Sequence, residues 1–514
     1  MWREKMLNKK MLGLLACAFT LTGCSGSFNS LVAGKNGDAL SAKSREFATP
    51  NWVKDAVFYQ IFPERFSNGD ASNDPQGTVA WTSKPDNFNY FGGDLKGVLQ
   101  KLPHLKSLGV NAIYLNPIFE ADSNHKYNTT NYLKIDPSFG DEALFKTVLS
   151  TCHSNGIKVI IDGVFNHTGD KSTYFQDAMK NGPSSKYWNW YKIYGFPVVQ
   201  SPKPNYDSWW GFGSLPKLMV AQNPEVANYL IDSVVDKWTR AGIDGWRLDV
   251  PNEVPSDDFW RRFRNKVKGI NPNAYICGEI WEDASHWLQG DQFDAVMNYV
   301  FRKNVLDFFA HDSITVDQFD SSMQGLRERY AASATSVMFN LLGSHDTARA
   351  LQECGNNANK LKLSVLFQMT YPGAPVIYYG DEIGMTGGMD PDCRRPMAWT
   401  NVNSNLFTYY KTLVAARNKY SALRTGDWKT VIRHNDHGQM VYLRSDASSK
   451  CLVFINKLNE SSLTISTDGN NLSKTSFPDG TTFTDLLTNR SYKTAKGKLT
   501  VNVPPSGGAL LVTK

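Results

Sequence analysis

From Trp52 onward the chain alternates short apolar runs with longer amphipathic segments. The runs are Val57–Phe62, Val110–Leu115, Val159–Val164, Ile243–Asp249, Tyr275–Glu279, Phe293–Asn298, Val337–Leu342 and Val376–Tyr379. They are short, mostly apolar and bounded by polar turns, which predicts eight strands buried on both faces. Between them, Leu95–Ser107, Glu142–Asn155, Pro224–Ala241 and Ser256–Gly269 carry apolar residues at helical spacing. Gly109, Gly156 and Gly242 each follow such a segment, where a left-handed helix cap is wanted. Eight strand–helix alternations predict an α/β fold, a (β/α)8 TIM barrel over residues 51–422. A doubly wound sheet is the architectural alternative.

Two stretches break the alternation. The connection after the third strand, about residues 167–222, is too long for a plain loop and is rich in Trp, Tyr, Pro and Asn. A connection of that length predicts a small inserted domain. Beyond Leu423 the helical signal stops. Val431–His434, Met440–Arg444, Cys451–Asn456 and Leu463–Thr467 alternate with turn residues, so residues 423–514 are expected to form a C-terminal antiparallel β-sandwich.

The first fifty residues have another character. Arg3, Lys5, Lys9 and Lys10 precede the apolar run Met11–Leu21, which is too short to span a bilayer. Small residues follow, ending at Cys24, and the pattern is that of an export signal over residues 1–23. It resembles a bacterial lipoprotein signal, which implies that Cys24 is lipidated. An ordinary signal with an unmodified Cys is the simpler alternative. Residues 24–50 are Ser/Gly/Ala/Lys-rich and read as a flexible tether. The expected product is exported and lipid-anchored to the cell membrane, facing outside the cytoplasm. Cys152, Cys277, Cys354, Cys393 and Cys451 are far apart and odd in number, so mostly buried free thiols are expected, with one disulfide left open.

Composition adds little beyond exclusions. Hydrophobic residues make up 41% and charged residues 20%, which rules out a disordered chain. The formal net charge is +6, and part of it sits in the signal, so no nucleic-acid partner is expected. Fourteen Trp suit a sugar-binding surface, or equally a large core.

The chemistry lies at the predicted strand ends, where a barrel of this kind keeps its active site. Strand three ends in Asp162, Asn166 and His167; strand four in Arg247 and Asp249; strand five in Glu279 and Trp281; strand seven in His345 and Asp346. Single acids at such places are often caps. Four gathered on one rim repel one another, while an arginine favours the ionised form of one. That divergence suits glycoside hydrolysis, which needs one carboxylate nucleophile and one carboxylic acid.

These segments resemble the signature regions of the α-amylase superfamily, glycoside hydrolase family 13, and the resemblance runs from about Asp55 to the C-terminus. It implies that Asp249 is the nucleophile, Glu279 the general acid/base and Asp346 the third carboxylate, which binds sugar hydroxyls. Arg247 would orient the nucleophile, His167 and His345 would hydrogen-bond the sugar, and Tyr127 would lie beneath it. Trp281 could stack on the leaving-group side. Asp162 and Asn166 look structural. Val250–Val254, His125–Tyr127 and Asp390–Arg395 narrow the resemblance to the neopullulanase, cyclomaltodextrinase and maltogenic amylase group. There the counterpart of Glu253 influences acceptor and water use, and Asp390 and Arg394 match residues holding the sugar chain on the non-reducing side. The group's pentapeptide ends in Asn, whereas Leu215–Met219 ends in Met.

Asn68, Asp70, Asn73 and Asp74 place four oxygen side chains within seven residues, a spacing that suits Ca²⁺ but also plain turns. The segment resembles a calcium loop of the same group. This implies a structural Ca²⁺ held by those four residues with the Gly92 carbonyl and Asp94. Members of the group carry an extra N-terminal β-domain, whereas here the barrel follows the tether directly, so a monomer with a more open cleft is expected. The expected activity is that of a retaining α-glycoside hydrolase on α-1,4-glucans: maltooligosaccharides, cyclodextrins, starch or pullulan, with transglycosylation as a side reaction. The rivals are a predominantly transferring α-glucanotransferase and a non-catalytic sugar-binding lipoprotein on the same barrel.

Overall fold

The structure, a computed structural model, describes residues 46–458, 462–467, 472 and 477–513. The export segment, Cys24 and most of the tether lie outside the described residues.

All eight expected barrel strands form; six are shorter than their apolar runs, the third is shifted by one residue and the eighth begins two residues earlier than expected. They are β1 (Phe58–Ile61), β2 (Ala112–Leu115), β3 (Lys158–Gly163), β4 (Gly245–Leu248), β5 (Tyr275–Gly278), β6 (Ala295–Val296), β7 (Phe339–Leu341) and β8 (Ala374–Tyr378). Neighbours pair in parallel from β1 to β6 and from β7 to β8, and β8 pairs with β1. Met297 bridges Phe339, and the Asn298 N–H donates to the Phe339 carbonyl at 2.8 Å, which closes the ring between β6 and β7. Almost every strand residue is buried, as a sheet covered by helices outside and packed side chains inside requires. The doubly wound alternative is excluded by this closure.

The helices differ from the sequence reading in two places. The segment expected at Leu95–Ser107 is two helices, Leu95–Gln100 and Leu102–Leu108, because Pro103 cannot donate to the preceding turn. The segment from Pro224 to Arg240 passes through a π-helical stretch at Tyr229–Val235. Gly109, Gly156 and Gly242 follow their helices with φ of 89°, 71° and 103°.

After β3 the chain makes its long excursion. It contains the helix Thr173–Asn181 and a set of single bridges, among them His167 with Lys217 and Tyr191 with Leu218. A pile of Tyr174, Tyr187, Trp190 and Tyr229 rings ties it to the helix that follows.

Among the described residues the C-terminal part has eight strands: β9 (Asp427–His434), β10 (Gln439–Ser445), β11 (Lys450–Asn456), β12 (Ser462–Ser466), β13 (Thr482–Asp485), β14 (Ser491–Lys493), β15 (Lys498–Asn502) and β16 (Gly507–Thr513). Six form an antiparallel sheet in the order β9-β10-β11-β16-β13-β14, and β12 pairs with β15. Side chains alternate between faces. Met440, Tyr442, Cys451, Val453, Ile455, Leu510 and Val512 join the barrel's core. Val441, Leu443, Leu452, Phe454 and Leu511 pack with Leu463, Ile465, Leu499 and Val501 in a second core. The five described cysteines are all buried and free.

Candidate active site

Arg247 leaves β4 toward the mouth of the barrel and is fully buried. Its Nη1 donates to Asp162 Oδ1 at 2.9 Å and to Asp249 Oδ1 at 3.0 Å. Its Nη2 lies 2.7 Å from Glu279 Oε2. One guanidinium thus holds the ends of β3, β4 and β5 together. Burial works against its charge, but Asp162 and Glu279 more than offset that, so it stays protonated.

Burial raises the Asp249, Glu279 and Asp162 carboxyls, and the Arg247 charge opposes the rise. Neighbouring carboxylates push Asp249 and Glu279 up further, Asp346 among them in both cases. Three acids share one cation, so the ionisation of each opposes that of the others and their protons are lost as a coupled set. Val250, directly after Asp249, has φ of 35°, which is rare for a β-branched residue. In that conformation its N–H donates to Glu279 Oε2 at 3.1 Å. Such backbone strain costs on the order of 1–3 kcal/mol and concentrates at functional sites.

A second network meets at the Tyr127 hydroxyl. It donates to Asp162 Oδ2 at 2.8 Å, accepts from Asn116 Nδ2 at 2.9 Å and lies 2.6 Å from His345 Nε2. The Tyr127 and His345 rings are parallel within 2° at 5.3 Å. The Gln60 amide donates to His345 Nδ1 at 2.9 Å, so the imidazole proton sits on Nε2, which is also 3.1 Å from Asp346 Oδ2. Burial, with Arg394 and Arg247, holds the His345 pKa well below the usual histidine value, and the ring is neutral.

Asp346 is shared with Arg394, whose Nη2 donates to its Oδ1 at 3.2 Å. Arg394 also pairs with Asp390 at 3.2 Å and donates to the His345 carbonyl. His167 hangs beside this network: its Nε2–H donates to the Tyr127 carbonyl at 3.1 Å, Asn166 Nδ2 donates to its Nδ1, and its ring stacks on Trp209. Burial lowers its pKa to about 4. At the rim, Glu253 pairs with Lys217 at 3.2 Å and accepts from Trp210 Nε1 at 3.4 Å, which ties the excursion after β3 to the turn after β4. Trp281 lies flat on Tyr299 and donates to Glu279 Oε1 at 3.0 Å.

The structure therefore connects Arg247, Asp249, Glu279, Tyr127, His345, Asp346, Arg394 and Asp390 through direct contacts. His167, Glu253 and Trp281 adjoin them. Asp162 does more than hold a strand end, because it is the bidentate partner of Arg247. Gln60 and Asn116 were not singled out from the sequence. Asn116 directly follows the run Val110–Leu115, the same signal that found the acids, whereas Gln60 is a polar residue inside the run Val57–Phe62.

The Asn68–Asp94 segment comes together away from this cluster. Asn68 Nδ2 donates to Asp74 Oδ1 at 2.7 Å, and a Cβ on Gly92 would collide with both side chains. Asn73 Oδ1 is buried with no hydrogen-bond partner. Asp94 caps the helix at Leu95 and accepts the Gly69 and Asp70 amides, while Asp70 pairs with Lys96 at 3.0 Å. Among the described residues no group of three or more His, Cys, Asp or Glu is placed to hold a metal. The orphaned Asn73 oxygen and the side-chain-free approach at Gly92 nonetheless suit an oxygen-bound cation.

Residues 60–427 match the alpha-amylase catalytic domain family. The chain is 45% identical over 474 residues to neopullulanase 2 of Thermoactinomyces vulgaris, covering 91% of this chain and 79% of that one. It is 45% identical to a cyclomaltodextrinase of Geobacillus thermopakistaniensis, over 90% of this chain and 78% of the relative. Among solved structures, the cyclic α-maltosyl-(1→6)-maltose hydrolase of Arthrobacter globiformis, complexed with that cyclic sugar, superposes with a TM-score of 0.82. It is 38% identical, with 90% of this chain and all of that one covered. Together with the acid cluster at the barrel mouth, these matches show that the chain belongs to the α-amylase family, as a glycoside hydrolase of the neopullulanase and cyclomaltodextrinase type.

Proposed function

We propose that the protein is a retaining α-glycoside hydrolase that cleaves α-1,4-glucosidic bonds in maltooligosaccharides, cyclodextrins and pullulan fragments. The observation that carries this reading is the sharing of Arg247 between Asp249 and Glu279, which come from adjacent strand ends. Asp249 attacks the anomeric carbon while Glu279 protonates the glycosidic oxygen. The sugar is then an ester of Asp249. In the second half, Glu279 takes a proton from the incoming water, or from a sugar hydroxyl, and the ester opens with retained configuration. A covalent intermediate open to either acceptor supports transglycosylation as a side reaction. Arg247 and the Tyr127–Asp162–His345 network fix the acids and the sugar; Asp346, with Arg394 and Asp390, faces the sugar's hydroxyls.

Substrate class follows from the relatives' names and from the cyclic sugar bound in the structural neighbour. Glu253, held by Lys217 at 3.2 Å, would bias the choice between water and sugar acceptors, as the resemblance implies. The Asn68, Asp70, Asn73, Asp74, Gly92 carbonyl and Asp94 set would hold a Ca²⁺ that stiffens the loop and takes no part in bond cleavage. The basic–apolar–Cys24 pattern supports placing the enzyme on the outer side of the membrane through a lipid anchor.

The test is a product time course on maltotriose, β-cyclodextrin, pullulan and soluble starch with residues 25–514. Asp249→Asn and Glu279→Gln are expected to lose at least about a thousandfold in kcat, and the first-formed reducing sugar is expected as the α-anomer. A β-anomer would overturn the retaining mechanism. Wild-type turnover in Asp249→Asn would overturn its assignment as nucleophile.

A further inference from the structure

The two oxygens of the Glu279 carboxyl are not equivalent. Oε2 faces inward, accepts the Val250 N–H at 3.1 Å and lies 2.7 Å from Arg247 Nη2. A proton on that atom would compete with an amide donor and a guanidinium. Oε1 meets a single described protein group, the Trp281 indole N–H at 3.0 Å, and so keeps a lone pair for a proton.

The indole is itself held. It lies face to face on Tyr299, with centroids 3.7 Å apart and planes within 7°. Tyr299 is buried at the start of the helix Tyr299–Phe309, and its hydroxyl is 3.3 Å from Ser344 Oγ. The donor direction is therefore set by the barrel. Yet 46% of Trp281 is exposed, which leaves the face away from Tyr299 open.

We propose that Trp281 is a positioning residue for the acid/base: its N–H fixes Glu279 so that Oε1 is the atom that gives and takes back the proton. This rests on the assignment of Glu279 made above. In the first half-reaction the Oε1 proton moves to the glycosidic oxygen, which also receives the electron pair of the breaking C–O bond. In the second, Oε1 takes a proton from water as the water oxygen bonds to the anomeric carbon and the Asp249 ester pair returns to its carboxylate. A sugar lying on the open indole face strips water from the N–H···O contact. Occupancy of the leaving-group side thereby strengthens the bond that aims the acid.

The test compares Trp281→Phe, which keeps a ring on Tyr299 but has no N–H, with Trp281→Leu, which has neither. Substrates are maltotriose and 4-nitrophenyl α-maltoside, whose aryl leaving group needs little protonation. For Trp281→Phe, kcat on maltotriose is expected to fall about tenfold with KM nearly unchanged. A carboxylate that loses a donor titrates higher, so the basic limb of kcat/KM is expected to move up by about one pH unit. On the aryl maltoside, kcat/KM, which reports only the first half-reaction, is expected to fall much less than on maltotriose, whereas kcat still falls to the extent that Glu279 acts as base in the second. Trp281→Leu adds a rise in KM, and Trp281→His, which restores a ring N–H, recovers part of the pH limb. Wild-type kcat and pH profile in Trp281→Phe would overturn the proposal and leave Trp281 as a stacking surface alone. Glu279→Gln, run alongside, separates the two failures: full maltotriose turnover there would remove the acid assignment itself.

Discussion

The buried histidines show how single residues constrain the site. His167 has both ring nitrogens committed in the neutral form, with Asn166 donating to Nδ1 and Nε2–H donating to the Tyr127 carbonyl. Burial lowers its pKa to about 4, whereas an unfolded chain leaves it near 6.5. Between those values the unfolded state binds a proton that the folded state does not. Stability is therefore lost as pH falls from about 6.5 to about 4, and by the lower limit His167 accounts for about 3 kcal/mol. The raised carboxyls of Asp162, Asp249 and Glu279 act in the opposite sense, because the folded state holds their protons more tightly. The histidine is isolated by comparing wild type with His167→Gln in denaturant unfolding at pH 7 and pH 4.5. The variant is expected to be less stable at pH 7, where two hydrogen bonds are disturbed, and to close most of that gap at pH 4.5. A gap that stays constant with pH would show that the ring's protonation carries none of it.

At the scale of elements, the strands were legible because each is buried on both faces and so reads as a continuous apolar run. The acids were legible because a barrel exposes its strand ends at one mouth. What the sequence hid depends on partners distant in the chain. The left-handed turn at Val250 exists to aim an amide at Glu279, twenty-nine residues away. The Glu253 tie to Lys217 and Trp210 crosses between two loops. The π-helical stretch at Tyr229–Val235 leaves the apolar pattern nearly intact, so periodicity did not reveal it. The Asn68–Asp94 loop was legible as a cluster of oxygens, and its reach was not. The Gly92 N–H donates to Glu64, Glu64 pairs with Arg65, and Arg65 Nη1 donates to the Arg394 carbonyl at 3.0 Å. If the loop binds Ca²⁺, the folded state alone gains that binding energy, about 3 kcal/mol at a hundredfold excess over Kd. Chelation is then expected to lower the melting temperature by about 3 °C, and Asp74→Ala to melt at the chelated value with or without added Ca²⁺. Equal melting of the wild type with chelator and with Ca²⁺ would remove the ion from the loop.

For the whole molecule, the decisive feature is that the central strands of the C-terminal sheet, β10, β11 and β16, are buried on both faces. One side is continuous with the barrel core and the other is covered by β12 and β15. Gly508 shows how close the first contact is: a Cβ there would approach Leu366 Cδ2 to 2.4 Å and the Phe454 carbonyl oxygen to 2.8 Å, so a side chain would press both on the helix Ala358–Thr370 and on the backbone of β11. Two buried guanidiniums fasten the junction. Arg417 donates to the carbonyls of Met369, Tyr371, Leu423 and Gly373. Arg444, from β10, donates to those of Thr370, Leu423, Gly426 and Asp427. These carbonyls include the open end of the helix Ala358–Thr370, where a cation also meets the negative end of the helix dipole. The two parts are expected to unfold as one cooperative unit. Arg444→Met leaves several buried carbonyls without donors and is expected to cost about 3 kcal/mol, seen by calorimetry as a lower melting temperature within a single transition. A chain ending at residue 426 exposes the apolar side of the helix Ala358–Thr370 and is expected to aggregate. Two separated transitions in Arg444→Met, or a soluble, folded barrel from the shortened chain, would show that the sheet is an appendage and that the barrel's stability is its own.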